Sequence, residues 1–430
     1  MRHVSCSTVA VLGIPFQNVT MDEAVAAIEQ QIREGGFHQV ATANVDFLKN
    51  AKQHEDLRDI LCSCDMVVPD GMPIVWVSRL IGTPLKERVS GIDLVERLAD
   101  VSARRGYGVF LLGASEQRSQ RAARALRQRY PNLRIVGRYS PEAQPLEKMD
   151  HEEILRRIEE ARPDILLVAF GNPKQEKWIS MHRNRLKVPV CIGIGGSLDF
   201  LSGNVRRAPQ WMQRAGLEWL HRTLQEPTRL AARYVSDTAC LLRHLPAHLA
   251  AVAAQPKPRF SSAIQVRQVG NTKLISMIGN LQGHALDEFD MCSREACDEG
   301  MNIVLDMSKT AYFGAESLGS LIRLGGRMRR RREQLWLVGI PAHLGRILRT
   351  GQLHNYFMTT TMVSDALYRT AKAEERMLAR VAAEWNSPRP ETASVDVRME
   401  LLQNVCLRIM AAEETEKATL IPNAFASAGR

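Results

Sequence analysis

The sequence predicts an α/β chain: a Rossmann-like parallel sheet with helices on both faces, a C-terminal amphipathic arm, then a smaller α/β domain. Three observations carry this expectation. From residue 9 to about 200, apolar runs of strand length alternate with amphipathic helical stretches. Several runs are apolar throughout and stop at glycine, as parallel strands covered on both faces do. Beyond residue 258 a second, shorter alternation begins.

The elements follow in order. "VAVLGIPF" reads as a first strand leading into "TMDEAVAAIEQQI", where Thr20 and Glu23 fit a capping box. "HQVATANV" precedes a helix near residues 46–62, and "GVFLLGAS" precedes an arginine-rich helix from about residue 116. "DILLVAFGNP" leads into "KQEKWISMHR", and "VPVCIGIGG" into "SLDFLSG". Ligands gather beyond the carboxyl ends of the strands in such sheets, so the stopping points Asn44, Asp70, Gly113, Gly171 and Gly195 are candidates to line one cleft.

Residues 206–243 differ in character. Arg206, Arg207, Arg214, Arg222, Arg229, Arg233 and Arg243 face only Glu218, Glu226 and Asp237, with Trp211, Trp219, Leu220, Leu224 and Tyr234 interleaved. "LPAHLAAVAAQPKPRF" reads as a Pro/Ala linker. In the second domain, "KLISMIGNLQG" and "MNIVLDMSKTAYF" read as strands and "AESLGSLIRLGGRMRRR" as a helix. "QLWLVGIPAHL" reads as a strand running into a helix, and a periodic helix over 363–384 closes the domain. The expected boundaries are a core over 1–205, an arm over 206–245, a linker over 246–262, a second domain over 263–372, and a C-terminal helix and loose tail over 373–430.

Composition narrows the function classes. The net charge of +10 points to an anionic partner: nucleic acid, an acidic membrane or a phosphorylated substrate. Nucleic acid is not expected, because no helix-turn-helix, zinc finger or RNA-binding aromatic motif is present. The eight cysteines form no paired C-x-x-C motif, so neither a zinc site nor any other metal or cofactor is expected. Their apolar settings suit reduced thiols in a cytoplasmic protein. No run reaches the ~18 apolar residues that a membrane span needs, and no signal peptide is evident.

Four local signals sit at predicted strand ends. They are "TANVDF" with Thr42 and Asn44, "PDGMP" with Asp70, "ERVSGID" with Arg88 and Asp93, and "GNPKQEKWI" with Gln175. Alone, each has an ordinary structural reading. Asp-Gly is a turn, Thr and Asn cap helices, Asp93 starts and caps a helix, and Glu176 is a first-turn helix acid. Taken with "IGIGGSLDFLSG" and "RRAPQWMQRAGLEWLHRTLQEP", they resemble in order the motifs of the WecG/TagA/CpsF glycosyltransferases, over roughly residues 8–240.

The resemblance implies an inverting, metal-independent transfer of an N-acetylmannosamine-type sugar from a UDP-sugar to an undecaprenyl-diphosphate-linked sugar in bacterial surface-polysaccharide synthesis. It implies Asp70 as base, Thr42 and Asn44 at the sugar, Arg88 at the departing diphosphate and Gln175 in the pocket. Gly195 and Gly196 would lie at the nucleotide, and Arg214, Arg222 and Arg207 would complete the site from a membrane-contacting arm. One base suffices for such a transfer, whereas hydrolysis with an acid and a base calls for two carboxyls. Guanidinium groups suit the charge developing on a diphosphate. A peripheral location on the inner face of the cell membrane and a homo-oligomer follow from the same resemblance.

Residues 264–370 resemble the STAS, or anti-sigma-factor-antagonist, fold through "NIVLDMSKTAYFGAESLGSLIRL". Phosphorylation-switched members carry Asp-Ser-Ser-Gly before the helix; here Gly314, Ala315, Glu316 and Ser317 stand there, which argues for a partner-binding role. The rival reading is a non-catalytic nucleotide-sugar sensor with the STAS-like part as output. A dehydrogenase is disfavoured because no G-x-G-x-x-G follows the first strand.

Overall fold

Strand residues here alternate strictly between two cores. Val109 and Leu111 enter one hydrophobic cluster while Phe110 and Leu112 enter another; Ile165 and Leu167 part from Leu166 and Val168 in the same way. The period of two sends successive side chains to opposite faces, and both faces are covered, so every position in the run is apolar. A computed structural model describes residues 7–203, 207–256 and 262–372. It divides into two compact units. The first takes in the chain up to Ala254 with Gly314–Gly326 and Ile347–Leu353; the second takes in Gln255–Phe313, Arg327–Arg346 and the chain from His354.

The chain begins with β1 (Thr8–Val11), β2 (Ile14–Gln17), α1 (Met21–Glu34), β3 (His38–Ala43), α2 (Val45–Gln53), α3 (Glu55–Ser63) and β4 (Met66–Pro69). There follow α4 (Met72–Leu80), α5 (Gly91–Arg105), β5 (Gly108–Gly113), α6 (Glu116–Arg129), β6 (Arg134–Tyr139), α7 (His151–Ala161) and β7 (Ile165–Ala169). Then come α8 (Lys174–Met181), β8 (Val190–Gly193), α9 (Ser197–Leu201), α10 (Gln210–Arg214), α11 (Glu218–Gln225) and α12 (Pro227–Ala253). Six strands form a parallel sheet in the order β4-β3-β8-β7-β5-β6. The Rossmann-like α/β class is what the sequence leads one to expect, and the capping box on α1 is present, with Thr20 and Glu23 bonding each other's backbone N–H.

Three stretches differ from expectation. "VAVLGIPF" is a two-stranded antiparallel hairpin, turning at Leu12 and Gly13, both with positive φ. It stands apart from the main sheet because its role is to cover an edge: the Gln17 side chain accepts a hydrogen bond from Val67 N on the edge strand β4. The helix expected near 46–62 is two helices broken at His54. Residues 246–253, expected as linker, are the last turns of the 27-residue α12, which passes through Pro246. Alanine is the best helix former, and composition alone does not separate such a helix end from a spacer.

The second unit is a five-stranded sheet, β13-β12-β11-β10-β9, parallel except for β9. Its own elements are β9 (Ala263–Val269), β10 (Thr272–Leu281), α13 (His284–Asp298), β11 (Asn302–Phe313), β12 (Leu335–Val338) and β13 (Met358–Thr360), while α14 (Ala315–Arg331) and α15 (Ala342–Thr350) are each divided between the two units. This smaller α/β unit is also as expected, although β9, α13 and β13 carry no strong sequence signal. Glu316 lies in the first turn of α14, and Ser317 beside it is buried. The helix expected over 363–384 is described only to residue 372, and the C-terminal helix and tail expected over 373–430 lie outside the described residues.

Leu167, buried on the central strand β7, and Thr20, half-buried at a helix start, separate packing from capping. Leu167→Ala is expected to cost ~3 kcal/mol and Thr20→Ala ~1 kcal/mol in urea unfolding. Equal losses would contradict this division of the stability.

Candidate active site

Because β4, β3, β8 and β7 are adjacent and parallel, their carboxyl ends bring Asp70, Asn44, Gly195 and Gly171 to one edge. Asp70 follows β4, and its backbone N donates to Ala43 O. Gly71 has φ 165, extended backbone open to any residue, so this turn does not demand a glycine. The Asp70 carboxyl meets the first residue of α5: Gly91 N–H donates to it. A side-chain carbon added at Gly91 would fall 3.1 Å from Thr42 Oγ1, 3.2 Å from Ser197 Oγ and 3.4 Å from Asp70 Oδ2. Thr42, Ser197 and Asp70 therefore converge on Gly91, where a larger residue would have to push its neighbours aside by a few tenths of an ångström. Burial pushes the Asp70 carboxyl up to about 6, against Arg88, the Gly91 N–H and Arg222, which pull it down.

Thr42 is buried, and its hydroxyl donates to Gly193 O at 3.0 Å. Asn44 is the N-cap of α2; its Oδ1 accepts from Asp46 N and Phe47 N, and its Nδ2 makes no hydrogen bond among the described residues. Gln175 is buried. Its Oε1 accepts from Gly171 N at 3.1 Å and Gly195 N at 3.0 Å, joining the turns after β7 and β8. Both glycines have positive φ, +82° and +50°, which explains the residue type at each.

The arm closes over this edge with an ionic network. Arg207 makes a bidentate pair with Asp93 at 2.6 and 3.0 Å, and Arg88 donates to Glu218 Oε2 at 2.7 Å. Arg88 also lies 3.8 Å from Asp93, and Arg207 Nε lies 3.7 Å from Glu218. Burial raises the Asp93 carboxyl, but Arg207 and the Ser90 hydroxyl outweigh it and hold the group below the usual range. Arg222 of α11 reaches the glycine-rich loop: a side-chain carbon at Gly196 would fall 2.8 Å from its Nη2. Its guanidinium stacks over Phe200, and its Nε is buried without a hydrogen-bond partner among the described residues. Arg214 ends α10, and its side chain lies outside the described residues.

The arm leaves apolar side chains in solvent: Trp211 is 65% exposed and Leu224 73%. Trp76 and Leu80 of α4 are exposed as well, and Gly216 (φ +74°) packs directly on Trp76 and Met72. Among the described residues no helix is long and apolar enough to cross a membrane, and no cluster of three or more His, Cys, Asp or Glu could hold a metal ion.

Residues 9–254 match the model of the glycosyl transferase WecG/TagA/CpsF family, more than half of the chain. The chain belongs to that family. It is a glycosyltransferase, and residues 263–368 match the STAS domain model. Among curated relatives, the N-acetylglucosaminyldiphosphoundecaprenol N-acetyl-beta-D-mannosaminyltransferase of Bacillus subtilis is 33% identical over 223 residues, covering 52% of this chain and 85% of the relative. The enzyme of that name from Staphylococcus aureus strain MRSA252 is 31% identical over 224 residues, covering 52% of this chain and 86% of the relative. Among solved structures, the unphosphorylated anti-sigma factor antagonist SpoIIAA aligns with 26% of this chain and 97% of its own at 15% identity, with a TM-score of 0.24.

Sequence reasoning did not find Glu218 or Ser197. Glu218 is the acid in "GLEW", and a carboxylate amid seven arginines was the available signal. Because the Asp93–Arg207 pair fastens the arm to α5, Asp93→Ala is expected to speed proteolysis within 207–225. The cost in stability should be only about 1 kcal/mol, since both partners are partly exposed. Unchanged cleavage rates would show that the arm is held elsewhere.

Proposed function

We propose that this glycosyltransferase moves an N-acetylmannosamine-type sugar from a UDP-sugar to an undecaprenyl-diphosphate-linked N-acetylglucosamine, with inversion, in bacterial surface or exopolysaccharide synthesis. The observation that carries the reading is the convergence on Asp70: one carboxyl beside Thr42 and Ser197, with Gly91 N–H, Arg88 and Arg222 acting on it. The names of the relatives supply the acceptor and the sugar.

In this reading the acceptor hydroxyl attacks the anomeric carbon and gives its proton to Asp70. The bond from that carbon to the diphosphate oxygen breaks, and UDP departs with the electron pair. A carboxyl titrating near 6 is ionised at neutral pH yet more basic than an ordinary aspartate. Arg222 and Arg88 meet the charge on the leaving diphosphate. The buried, unpartnered Nε of Arg222 is a donor in place for an anion, whereas Arg88 is engaged by Glu218, with which the diphosphate must compete. Thr42, Asn44 and the loop at Gly195 and Gly196 hold the donor, Gln175 acting through the two glycine turns. The exposed Trp211 and Leu224, with the arginines between them, bring the arm to the inner face of an anionic membrane, where the polyprenyl acceptor resides. The enzyme works there as a peripheral protein, and the STAS domain serves a protein partner or self-assembly.

The test is UDP release from a panel of UDP-sugars by the full chain, with a synthetic polyprenyl-diphosphate acceptor in anionic vesicles. Asp70→Asn should lower kcat at least ~10³-fold while UDP still binds within a few-fold. Full activity in that variant would remove Asp70 from the reaction.

The kcat/KM profile should fall tenfold per pH unit below an apparent pKa near 6, because protonated Asp70 cannot accept the acceptor's proton. An acid limb near 4, the range of an ordinary aspartate, would contradict the environment described for this carboxyl.

A further inference from the structure

We infer that Glu176 is a positioning residue for the transfer: its carboxyl fixes the amide of Gln175, so that one oxygen ties together the two glycine turns of the cleft. The inference rests on the reading above for what those turns hold. A glutamine amide can sit either way round, with oxygen and nitrogen exchanged. Here the oxygen must face Gly171 N–H and Gly195 N–H, since the reversed amide would set donor against donor. Glu176 decides the matter by accepting from Gln175 Nε2 at 2.8 Å. Space for the pair comes from Gly193 of β8, where an added side-chain carbon would fall 2.4 Å from Glu176 Oε1 and 2.7 Å from Gln175 Nε2. The same glycine accepts the Thr42 hydroxyl on its carbonyl, and Gln39 of β3 donates to the backbone carbonyl of Glu176. The turns after β7 and β8 are thus tied together through Gln175 and its neighbouring acid, with β3 held against the same place.

Glu176 is 1% exposed, and its Oε2 is buried without a hydrogen-bond partner among the described residues, so an ionised carboxylate would leave a charged oxygen without a donor there. Burial pushes this carboxyl up to about 8, and Asp46 of α2 adds to the rise. Asp46 is itself 3.0 Å from Lys49; α3 carries Arg58 and Asp56, the latter paired with Lys177; β3 and β8 carry Gln39 and Cys191. The folded-state value lies above the ordinary 4.5, so the folded protein keeps a proton that the unfolded chain releases. Stability from this group is complete below about 4.5, falls as pH rises to about 8, and then levels.

The test compares the full chain with Glu176→Gln, a neutral acceptor of the same shape, and Glu176→Ala, in melting and in UDP binding. The Tm advantage of Glu176→Gln over the native chain should widen from pH 5 to 8 and then hold constant; a pH-independent gap overturns the neutral carboxyl. Glu176→Gln should bind UDP as the native chain does from pH 7 to 9, since its side-chain oxygen, like the carboxyl in either protonation state, still accepts from Gln175 Nε2. Glu176→Ala should weaken UDP about tenfold at every pH, and undiminished affinity there overturns the positioning role. If Glu176→Ala does not fold, the other two proteins still decide. If the native chain binds no UDP, the nucleotide reading fails while the melting comparison still judges Glu176.

Discussion

The contact on which the site depends is the one between the Asp70 carboxyl and the first N–H of α5. A carboxylate taken partly out of water at the end of a strand is costly unless donors and cations compensate it. Gly91 N–H, with the positive end of a 15-residue helix behind it, supplies the nearest compensation. The absence of a side chain at residue 91 lets α5 come that close without displacing Thr42 or Ser197, and its start is fixed by Ser90 as N-cap. Arg88, three residues earlier, and Asp93, two later, are then delivered to the same place. A short loop-helix junction therefore sets Asp70, Arg88 and the anchor of the arm together.

Much of this was legible in the sequence because the signals were local. The strand runs betray a two-faced sheet through period-two packing, and the Thr20–Glu23 box announces α1. Asp70, Thr42, Asn44 and Gln175 stand at strand ends that the order of motifs already suggested. What escaped depended on three-dimensional company. The hairpin looks like a strand until the edge it covers is known, and α12 looks like a linker because alanine and proline are ambiguous in composition. Glu176 reads as a solvated first-turn acid, yet its helix is seated so that this turn faces β3 and β8. Gln175 reads as a ligand-facing amide, while its hydrogen bonds are spent on the loops themselves.

The net charge of +10 says little about the cleft, where opposite charges are nearly balanced. Arg88 and Arg207 are matched by Asp93 and Glu218, two positive against two negative. Such balance keeps partly buried guanidinium groups ordered without a ligand, since each has a carboxylate to hold its plane. Arg222 is held differently, stacking on the ring of Phe200.

The hairpin at the start of the chain has a bearing on assembly. It lies against β4, an outermost strand of the six and the one that ends at Asp70, and the Gln17 side chain takes the Val67 N–H that an unprotected border would offer. A second copy could not continue the sheet across that border without first evicting the hairpin and disturbing Asp70. Any self-association of this enzyme that preserves activity must accordingly be built from side-chain surfaces or the opposite border of the sheet.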